Sequence, residues 1–157
     1  PETIKRQSEN QIQNPLSEII SQIPKELILF ENTSGVCFVP RWARYPFEIW
    51  VIPHRRVSQV YELDNEEIKN LSRLLLESSK MLDKVFNEPM PYTLAWQLAP
   101  KGYQDSHHLH WCFQPIKRSK TKLKYLAGVE QSTGFYLVDL PPERSARILR
   151  GEEQPDE

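Results

Sequence analysis

The segment SHHLHWCFQ, residues 106–114, holds three of the four histidines of this 157-residue chain and one of its two cysteines. Side chains at alternate positions of a β-strand point to the same side of a sheet. A strand in this segment would therefore place His108, His110 and Cys112 in a row on one face, with the apolar residues between them on the other. This alternation predicts a strand with one face in the core and the other lining a site.

The row of His108, His110 and Cys112 suits two kinds of chemistry. Neutral imidazole and thiolate are good ligands for zinc or iron, so the row predicts a metal site. A histidine held by polar neighbours can instead attack a phosphate and carry the transferred group covalently. The alternative is a half-buried strand whose histidines only satisfy hydrogen bonds, but three histidines within four positions favour a functional role.

The composition limits the classes of function. With 39% hydrophobic residues, the chain is long enough for one core and too short for two comfortable domains. Its 20 Lys and Arg residues balance 21 Asp and Glu residues, which gives no electrostatic argument for nucleic acid or an acidic membrane. Two distant cysteines and the lack of a long apolar run predict a cytoplasmic protein with free thiols. Because the sequence begins with Pro1 and a polar stretch, we expect a trimmed chain or a fragment of a longer protein.

Short elements precede the first long helix. The segment NPLSEIISQI predicts a helix with Asn14 as its N-cap and Pro15 at its first position, ended by Pro24. Three extended runs separated by turn signals and prolines predict an antiparallel meander. These runs are ELILFEN (26–32), GVCFVP (35–40) and FEIWVIP (47–53).

The rest of the pattern completes an α+β fold. Asp64 and Glu67 predict a capping box at the start of a long amphipathic helix over about residues 64–87. Further strands are predicted at YTLAWQLA (92–99), at the histidine segment and at KYLAGVE (124–130), and a final helix from Asp139 through about Leu149. This order predicts an antiparallel sheet covered on one face by the helices. We divide the chain into a polar lead-in with a short helix (1–25), one domain (26–150) and a solvated tail (151–157).

Two further segments are rich in basic or aromatic residues. Five basic residues follow the histidine strand closely in the segment PIKRSKTKLK, residues 115–124. Their side chains can neutralise phosphates, or the segment can be a solvated loop. VPRWARYPFEIWVIPHRRV, residues 39–57, is dense in aromatic residues that suit stacking on a base, a hairpin core or a subunit interface. For this second segment we favour a structural role.

Three segments of the sequence are VPRWARYPFEIWVIPHRRV, YTLAWQLAP and HLHWCFQPIKRSKTKLKYLAGVE. In their order and spacing they resemble the C-terminal half of galactose-1-phosphate uridylyltransferases, a family of the histidine-triad superfamily. The resemblance runs from about Glu26 to Leu149. It implies a half-barrel-like antiparallel sheet with helices on one side, two such halves per subunit and a homodimer. The family moves UMP between UDP-glucose and a hexose 1-phosphate through a covalent uridylyl-histidine. Its nucleophile lies in a His-Pro-His-x-Gln motif of the N-terminal half, which this sequence lacks.

The resemblance also implies roles for single residues. His110 matches a histidine that helps to bind a structural iron or zinc, and Cys112 stands where relatives carry histidine or glutamate. Gln97 stands where some relatives have another metal-binding histidine, and His108 is a substitute ligand two residues before His110. The resemblance therefore implies zinc or iron at His108, His110 and Cys112.

A second group of residues matches the substrate contacts of the family. Lys124, Tyr125 and Gly128 lie in a stretch that, in the family, reaches into the neighbouring subunit's active site and contacts the UDP-sugar. A lysine near the phosphates and an aromatic ring suit a dianionic pyrophosphate that carries a sugar and a base. Val129 departs from a tyrosine seen in some relatives.

Three functions stay open at the level of sequence. The first is the C-terminal half of a hexose-1-phosphate uridylyltransferase, inactive alone, which supplies a dimer interface, substrate contacts and a metal site. The second is a free-standing histidine-triad nucleotidyltransferase or hydrolase with His110 as the nucleophile, a role weakened by Cys112 in place of the usual third histidine. The third is a catalytically inactive binding module of the same fold.

Overall fold

The computed structural model describes residues 15–156, which form a five-stranded antiparallel sheet with helices. The strands are β1 (Ile28–Asn32), β2 (Gly35–Phe38), β3 (Ile49–Pro53), β4 (Tyr92–Gln97) and β5 (His110–Pro115), in the spatial order β1-β2-β3-β5-β4. The first three strands pair antiparallel in sequence order, so the predicted meander is confirmed. The predicted early helix is α1 (Pro15–Ser21), and its predicted N-cap, Asn14, lies outside the described residues.

The histidine strand lies inside the sheet, because β5 pairs with β3 on one side and β4 on the other. Trp111 and Phe113 join the core cluster on one face of the sheet, whereas Cys112 joins a second apolar cluster on the opposite face. The predicted alternation is therefore confirmed. The second face is less open than expected, since apolar side chains of α1 pack on its cluster.

The long helix, α2 (Asn65–Val85), covers the first face of the sheet. Its predicted capping box is confirmed: Asp64 Oδ1 accepts the Glu67 N–H at 2.8 Å, and Glu67 Oε2 accepts the Asp64 N–H at 3.0 Å. Gly35 allows the helix to approach β2, since a Cβ there would lie 2.8 Å from a methyl carbon of Leu71. Among the described residues, no helix is both long and apolar enough to cross a bilayer.

The strand predicted over residues 124–130 is wrong. The chain keeps one β-bridge between Lys117 and Leu123 and then leaves the sheet, and α3 (Gly128–Thr133) stands where the strand was expected. Residues 124–130 cannot pair with β5, the strand that precedes them, because β3 and β4 already occupy both sides of β5. The Glu130 carboxylate instead accepts the Ala127 N–H at 2.6 Å, which favours a helical turn.

The final predicted helix is α4 (Pro142–Leu149), which begins after Pro141. Proline suits a first helical turn because its missing N–H would have no partner there. Ala146, Ile148 and Leu149 are buried against the core under α2. This contact ties the end of the chain to the sheet.

Candidate functional site

His110 is the first residue of β5 and is buried between aromatic rings. Its imidazole stacks on the Trp50 ring with centroids 4.5 Å apart, and the His107 ring lies 5.7 Å away on centroids. Burial lowers the pKa of His110 to about 4, so the ring is neutral at pH 7. Its Nδ1 is 2.8 Å from the His108 carbonyl oxygen. A carbonyl only accepts, so Nδ1 carries the proton and the lone pair is on Nε2.

The Trp50 ring is held by a buried carboxylate. Trp50 Nε1 donates to Glu48 Oε1 at 2.8 Å, and Glu48 Oε2 accepts the backbone N–H groups of Arg44 at 2.7 Å and Tyr45 at 3.2 Å. Trp42 packs edge-on against Trp50 with centroids 5.3 Å apart. Glu48 therefore fixes both the tryptophan and the β2–β3 loop (residues 39–48). Sequence reasoning missed this role, although a lone acidic residue in the apolar run FEIWVIP was a usable signal.

The predicted row of ligands forms only in part on the strand. His110 and Cys112 are alternate residues of β5, whereas His108 precedes the strand. Burial lowers the pKa of His108 to about 4, although hydrogen bonds with the backbone of Pro53 and Arg55 oppose this shift. His107, which the row did not include, has its ring next to that of His110, and its Nε2 is 3.0 Å from the carbonyl oxygen of Gln97.

The donor set does not fit a metal ion well. Cys112 is 1% exposed and lies within a cluster of apolar side chains, which offer no further ligand atoms beside its sulfur. Throughout residues 15–156, no three His, Cys, Asp or Glu side chains are grouped so that they could hold a metal ion. Zinc or iron at His108, His110 and Cys112 stays a prediction from the resemblance.

The predicted substrate residues lie apart from His110 in an excursion from the sheet, which we name the arm (residues 123–139). Lys124 Nζ lies 2.9 Å from Glu130 Oε1, and both side chains are almost fully buried. Tyr125 is 80% exposed, and space is open around Gly128, where an added Cβ would meet no atom within 4 Å. The arm therefore presents an aromatic ring and accessible backbone to solvent.

A cleft of about 350 Å³ opens beside the arm. Lys124, Tyr125 and Glu130 line it together with Arg118 and Asp139, which form an ion pair. Within the basic segment, Lys117 also pairs with an acidic residue. Most of the basic side chains of residues 115–124 are thus paired with acidic side chains nearby.

The β2–β3 loop contacts both groups of residues. Lys124 Nζ lies 5.9 Å from the Tyr45 ring centroid, and the Tyr45 and Tyr136 rings lie 6.2 Å apart. The same loop carries Trp42 and the Glu48 carboxylate that holds Trp50. One loop therefore supports the histidine stack on one side and the arm on the other.

Comparisons with known proteins agree with the resemblance seen in the sequence. The family profile described as "Galactose-1-phosphate uridyl transferase, C-terminal domain" matches residues 8–154. A galactose-1-phosphate uridylyltransferase of Thermotoga maritima is 34% identical over 139 residues, covering 87% of this chain and 44% of that protein. An ADP-glucose phosphorylase of Arabidopsis thaliana is 30% identical over 128 residues, covering 80% of this chain and 35% of that protein. The chain thus spans less than half of the length of these relatives.

Solved structures support the fold. A structure described as a uridylyltransferase superposes with a TM-score of 0.86 at 26% identity, covering 96% of this chain and 48% of that one. A zinc-bound histidine triad family protein of Mycobacterium smegmatis superposes with a TM-score of 0.61 at 15% identity, covering 87% of this chain and 89% of that one. At this low identity the second likeness supports the histidine-triad-like fold alone.

Proposed function

The chain belongs to the family of galactose-1-phosphate uridylyltransferase C-terminal domains, and from this premise we propose that it supplies substrate contacts and a dimer interface to a hexose-1-phosphate uridylyltransferase. The enzyme would transfer UMP between UDP-glucose and a hexose 1-phosphate in the cytoplasm. The chain spans less than half of the length of its relatives, so we assign this proposed activity to a whole protein of their kind and not to the chain alone.

The observation that carries the proposal is the arm. It projects the residues that resemble the family's nucleotide-sugar contacts, and it exposes the Tyr125 ring while leaving space beside the Gly128 backbone. An exposed aromatic ring can stack on a base or a sugar, and glycine lets a ligand approach the backbone closely. Recognition of UDP-glucose by such an arm needs no nucleophile within this chain.

The chemistry would take place on a histidine of the other half of the enzyme. A histidine nitrogen bonds to the α-phosphorus of UDP-glucose while the bond from that phosphorus to the bridging oxygen breaks, and glucose 1-phosphate leaves with the electron pair. An oxygen of a second hexose 1-phosphate then attacks the same phosphorus and displaces the histidine. The residues of this chain would bind and orient the two sugar phosphates around that phosphorus.

A second candidate is a nucleotidyl transfer on His110 itself. The neutral ring with Nδ1 held by a carbonyl and a lone pair on Nε2 suits a nucleophile. Two observations oppose it: the residue is only 6% exposed and its ring is stacked on Trp50. Cys112, at the third position of the triad pattern, is enclosed by apolar side chains.

The two candidates are separated by intact mass spectrometry after incubation with UDP-glucose at neutral pH, with His110→Asn as the control. Under our proposal the chain gains no uridylyl group, and the gene upstream of the Pro1 codon encodes a His-Pro-His motif. An adduct of one UMP that disappears in the variant, or a start codon immediately upstream without that motif, would favour the second candidate.

The contribution of the arm is tested by the affinity for UDP-glucose of the protein expressed from its complete gene. Tyr125→Ser should weaken binding about tenfold or more, which is the range of aromatic stacking on a base. Tyr61→Ser is the matched control, since Tyr61 is similarly exposed, at 82%, and lies outside the arm. Equal affinities in the two variants would remove the arm from the binding site.

Two further properties belong to the proposal. We propose a homodimer, which light scattering on the complete protein would test. A zinc or iron ion at His108, His110 and Cys112 would appear as about one equivalent of metal in the purified protein, lost in His110→Asn. Because residues 15–156 contain no group of three suitable side chains, this ion rests on the resemblance alone.

A further inference from the structure

We propose that Arg44, in the β2–β3 loop, binds the phosphates of the nucleotide sugar beside the arm. The arm supplies the residues that resemble the family's substrate contacts, and Arg44 adds a positive charge from a different part of the chain. This inference deepens the proposed function and rests on it, but the binding of an anion by Arg44 can be tested with inorganic pyrophosphate alone.

The Arg44 guanidinium lies against the arm. Its central carbon, Cζ, is 5.5 Å from the centroid of the Tyr136 ring, within the range of a cation–π interaction. The Tyr45 ring, next in the loop, lies 6.2 Å from the Tyr136 ring and 5.9 Å from Lys124 Nζ, measured from ring centroids. The loop therefore brings Arg44 to the same part of the arm as Lys124, which matches a substrate contact of the family.

The positive charge of Arg44 is not balanced by a carboxylate. In the part of the chain that the structure describes, its guanidinium forms no ion pair and no hydrogen bond. Two basic residues line the cleft beside the arm, and both are paired. Lys124 Nζ lies 2.9 Å from Glu130 Oε1, and Arg118 pairs with Asp139. Because these pairs add no net charge, Arg44 supplies the net positive charge that attracts a pyrophosphate group.

The backbone of Arg44 is held in place by the buried Glu48. The Arg44 N–H donates to Glu48 Oε2 at 2.7 Å, and the Tyr45 N–H donates to the same oxygen at 3.2 Å. Phe47 has a φ of 61°, in the left-handed region that a phenylalanine rarely adopts. A strained residue persists only where its surroundings hold it, and such residues cluster at ligand sites. The loop is therefore preorganised, which lowers the entropy cost of binding a ligand.

A guanidinium group suits both the Tyr136 ring and a phosphate at the same time. Its five N–H donors form a planar fork that can bind two phosphate oxygens together. Stacking uses the face of the guanidinium, whereas hydrogen bonding uses its edge, so Arg44 can keep its ring contact while it binds an anion. Arg44 is half-buried, and partial removal from water strengthens its attraction to a negative charge.

The affinity for UDP-glucose of the protein expressed from its complete gene is the main test. Arg44→Gln should weaken binding about ten- to a hundredfold, the range expected for lost hydrogen bonds to a charged group. Arg44→Lys should recover part of this loss, because lysine keeps the charge but lacks the planar fork. Equal affinities of Arg44→Gln and the unaltered protein would overturn the proposal.

Arg41→Gln is the matched control for this measurement. Arg41 is an exposed arginine of the same loop and has no ion pair within the described residues, but it lines a different cleft, next to α1. Its replacement should leave the affinity for UDP-glucose unchanged. A loss as large as that of Arg44→Gln would mean that binding depends on the overall charge of the loop, which contradicts a specific contact by Arg44.

The alternative role of Arg44 is to order the arm through the Tyr136 ring without contact to a ligand. Hydrogen exchange of the chain without ligand separates the two roles. The Leu137 N–H is bound by Glu130 Oε1 at 2.9 Å, so its exchange should be unchanged in Arg44→Gln if Arg44 acts on the ligand. Faster exchange at Leu137 in this variant would refute direct binding as the cause of the lost affinity.

Inorganic pyrophosphate tests the anion contact independently of the proposed function. Titration of the chain with pyrophosphate should shift the nuclear magnetic resonance signal of Arg44 Nε–H, which is assigned by its disappearance in Arg44→Lys. An equal shift of the Arg41 signal would contradict a specific site. If only the Arg44 signal shifts and the unaltered complete protein does not bind UDP-glucose, the anion site stands and the proposed function fails. If UDP-glucose binds with an affinity that does not depend on Arg44, the proposed function stands and this inference fails.

Discussion

Replacing Glu48 by glutamine tests whether this buried carboxylate holds the Trp50 ring that packs on His110. Glu48 has no measurable exposure, and its two oxygens accept hydrogen bonds from three N–H donors. A glutamine of the same shape keeps one oxygen, which suits the two backbone N–H groups. Its NH₂ group then faces Trp50 Nε1, so two donors meet.

The cost follows from this geometry. The variant loses a hydrogen bond to a charged group, worth about 1.5–3 kcal/mol, and leaves the Trp50 N–H without an acceptor, which costs about 1–3 kcal/mol. Because these two contributions overlap, we expect Glu48→Gln to lower the free energy of unfolding by about 3 kcal/mol. In a Trp50→Phe background, which has no Nε1, the same substitution should cost clearly less.

Urea denaturation followed by circular dichroism measures this loss without relying on the altered tryptophan. Glu31→Gln is the matched control, since Glu31 is an exposed acidic residue of β1 and its substitution should change stability by no more than about 0.5 kcal/mol. A cost below about 1 kcal/mol for Glu48→Gln, or the same cost in the Trp50→Phe background, would refute the reasoning.

Other predictions concern the core, pH and the thiols. Gly35→Ala should lower the free energy of unfolding by about 1–3 kcal/mol, measured in urea, because its Cβ would lie 2.7 Å from a backbone oxygen of β3. The hydrogen bond from Arg55 lowers the pKa of Glu67 to about 2 from 4.5. The contribution of Glu67 to the free energy of unfolding is therefore complete above pH 4.5 and is lost as the pH falls towards 2. The free energy of unfolding should drop less over this pH range in Arg55→Met than in the unaltered chain. Cys37 and Cys112, whose thiol pKa values burial raises to about 12, should react with a thiol reagent only after unfolding, and rapid labelling of the native chain would contradict their burial.

The regular elements were predictable because their signals are local. The capping box and the helical spacing that follows it define α2, and prolines with turn residues bound the strands of the meander. The strand predicted at residues 124–130 failed for a non-local reason. Local propensity cannot show which strands are already paired, and β5, the strand that precedes this segment, has neighbours on both sides.

The candidate site was less predictable than the fold. Alternation placed His110 and Cys112 on one face, but it could not show that Trp50 and α1 cover that face, since these contacts join distant parts of the chain. The roles of Glu48 and Glu130 were also missed. Each of these carboxylates is explained only by donors that the folded backbone brings to it, so residue type and spacing alone did not indicate them.

The β2–β3 loop couples the stability of the histidine stack to that of the arm. Its backbone is fixed at one end by Glu48, and its Tyr45 ring packs near Lys124 and Tyr136 of the arm. Changes at residues that share one network do not have independent energies. The effects of substitutions at Glu48 and Glu130 should therefore not sum when the two are combined, although no direct contact joins these side chains. For a protein of this kind, mutational maps of the histidine stack and of the arm have to be measured together.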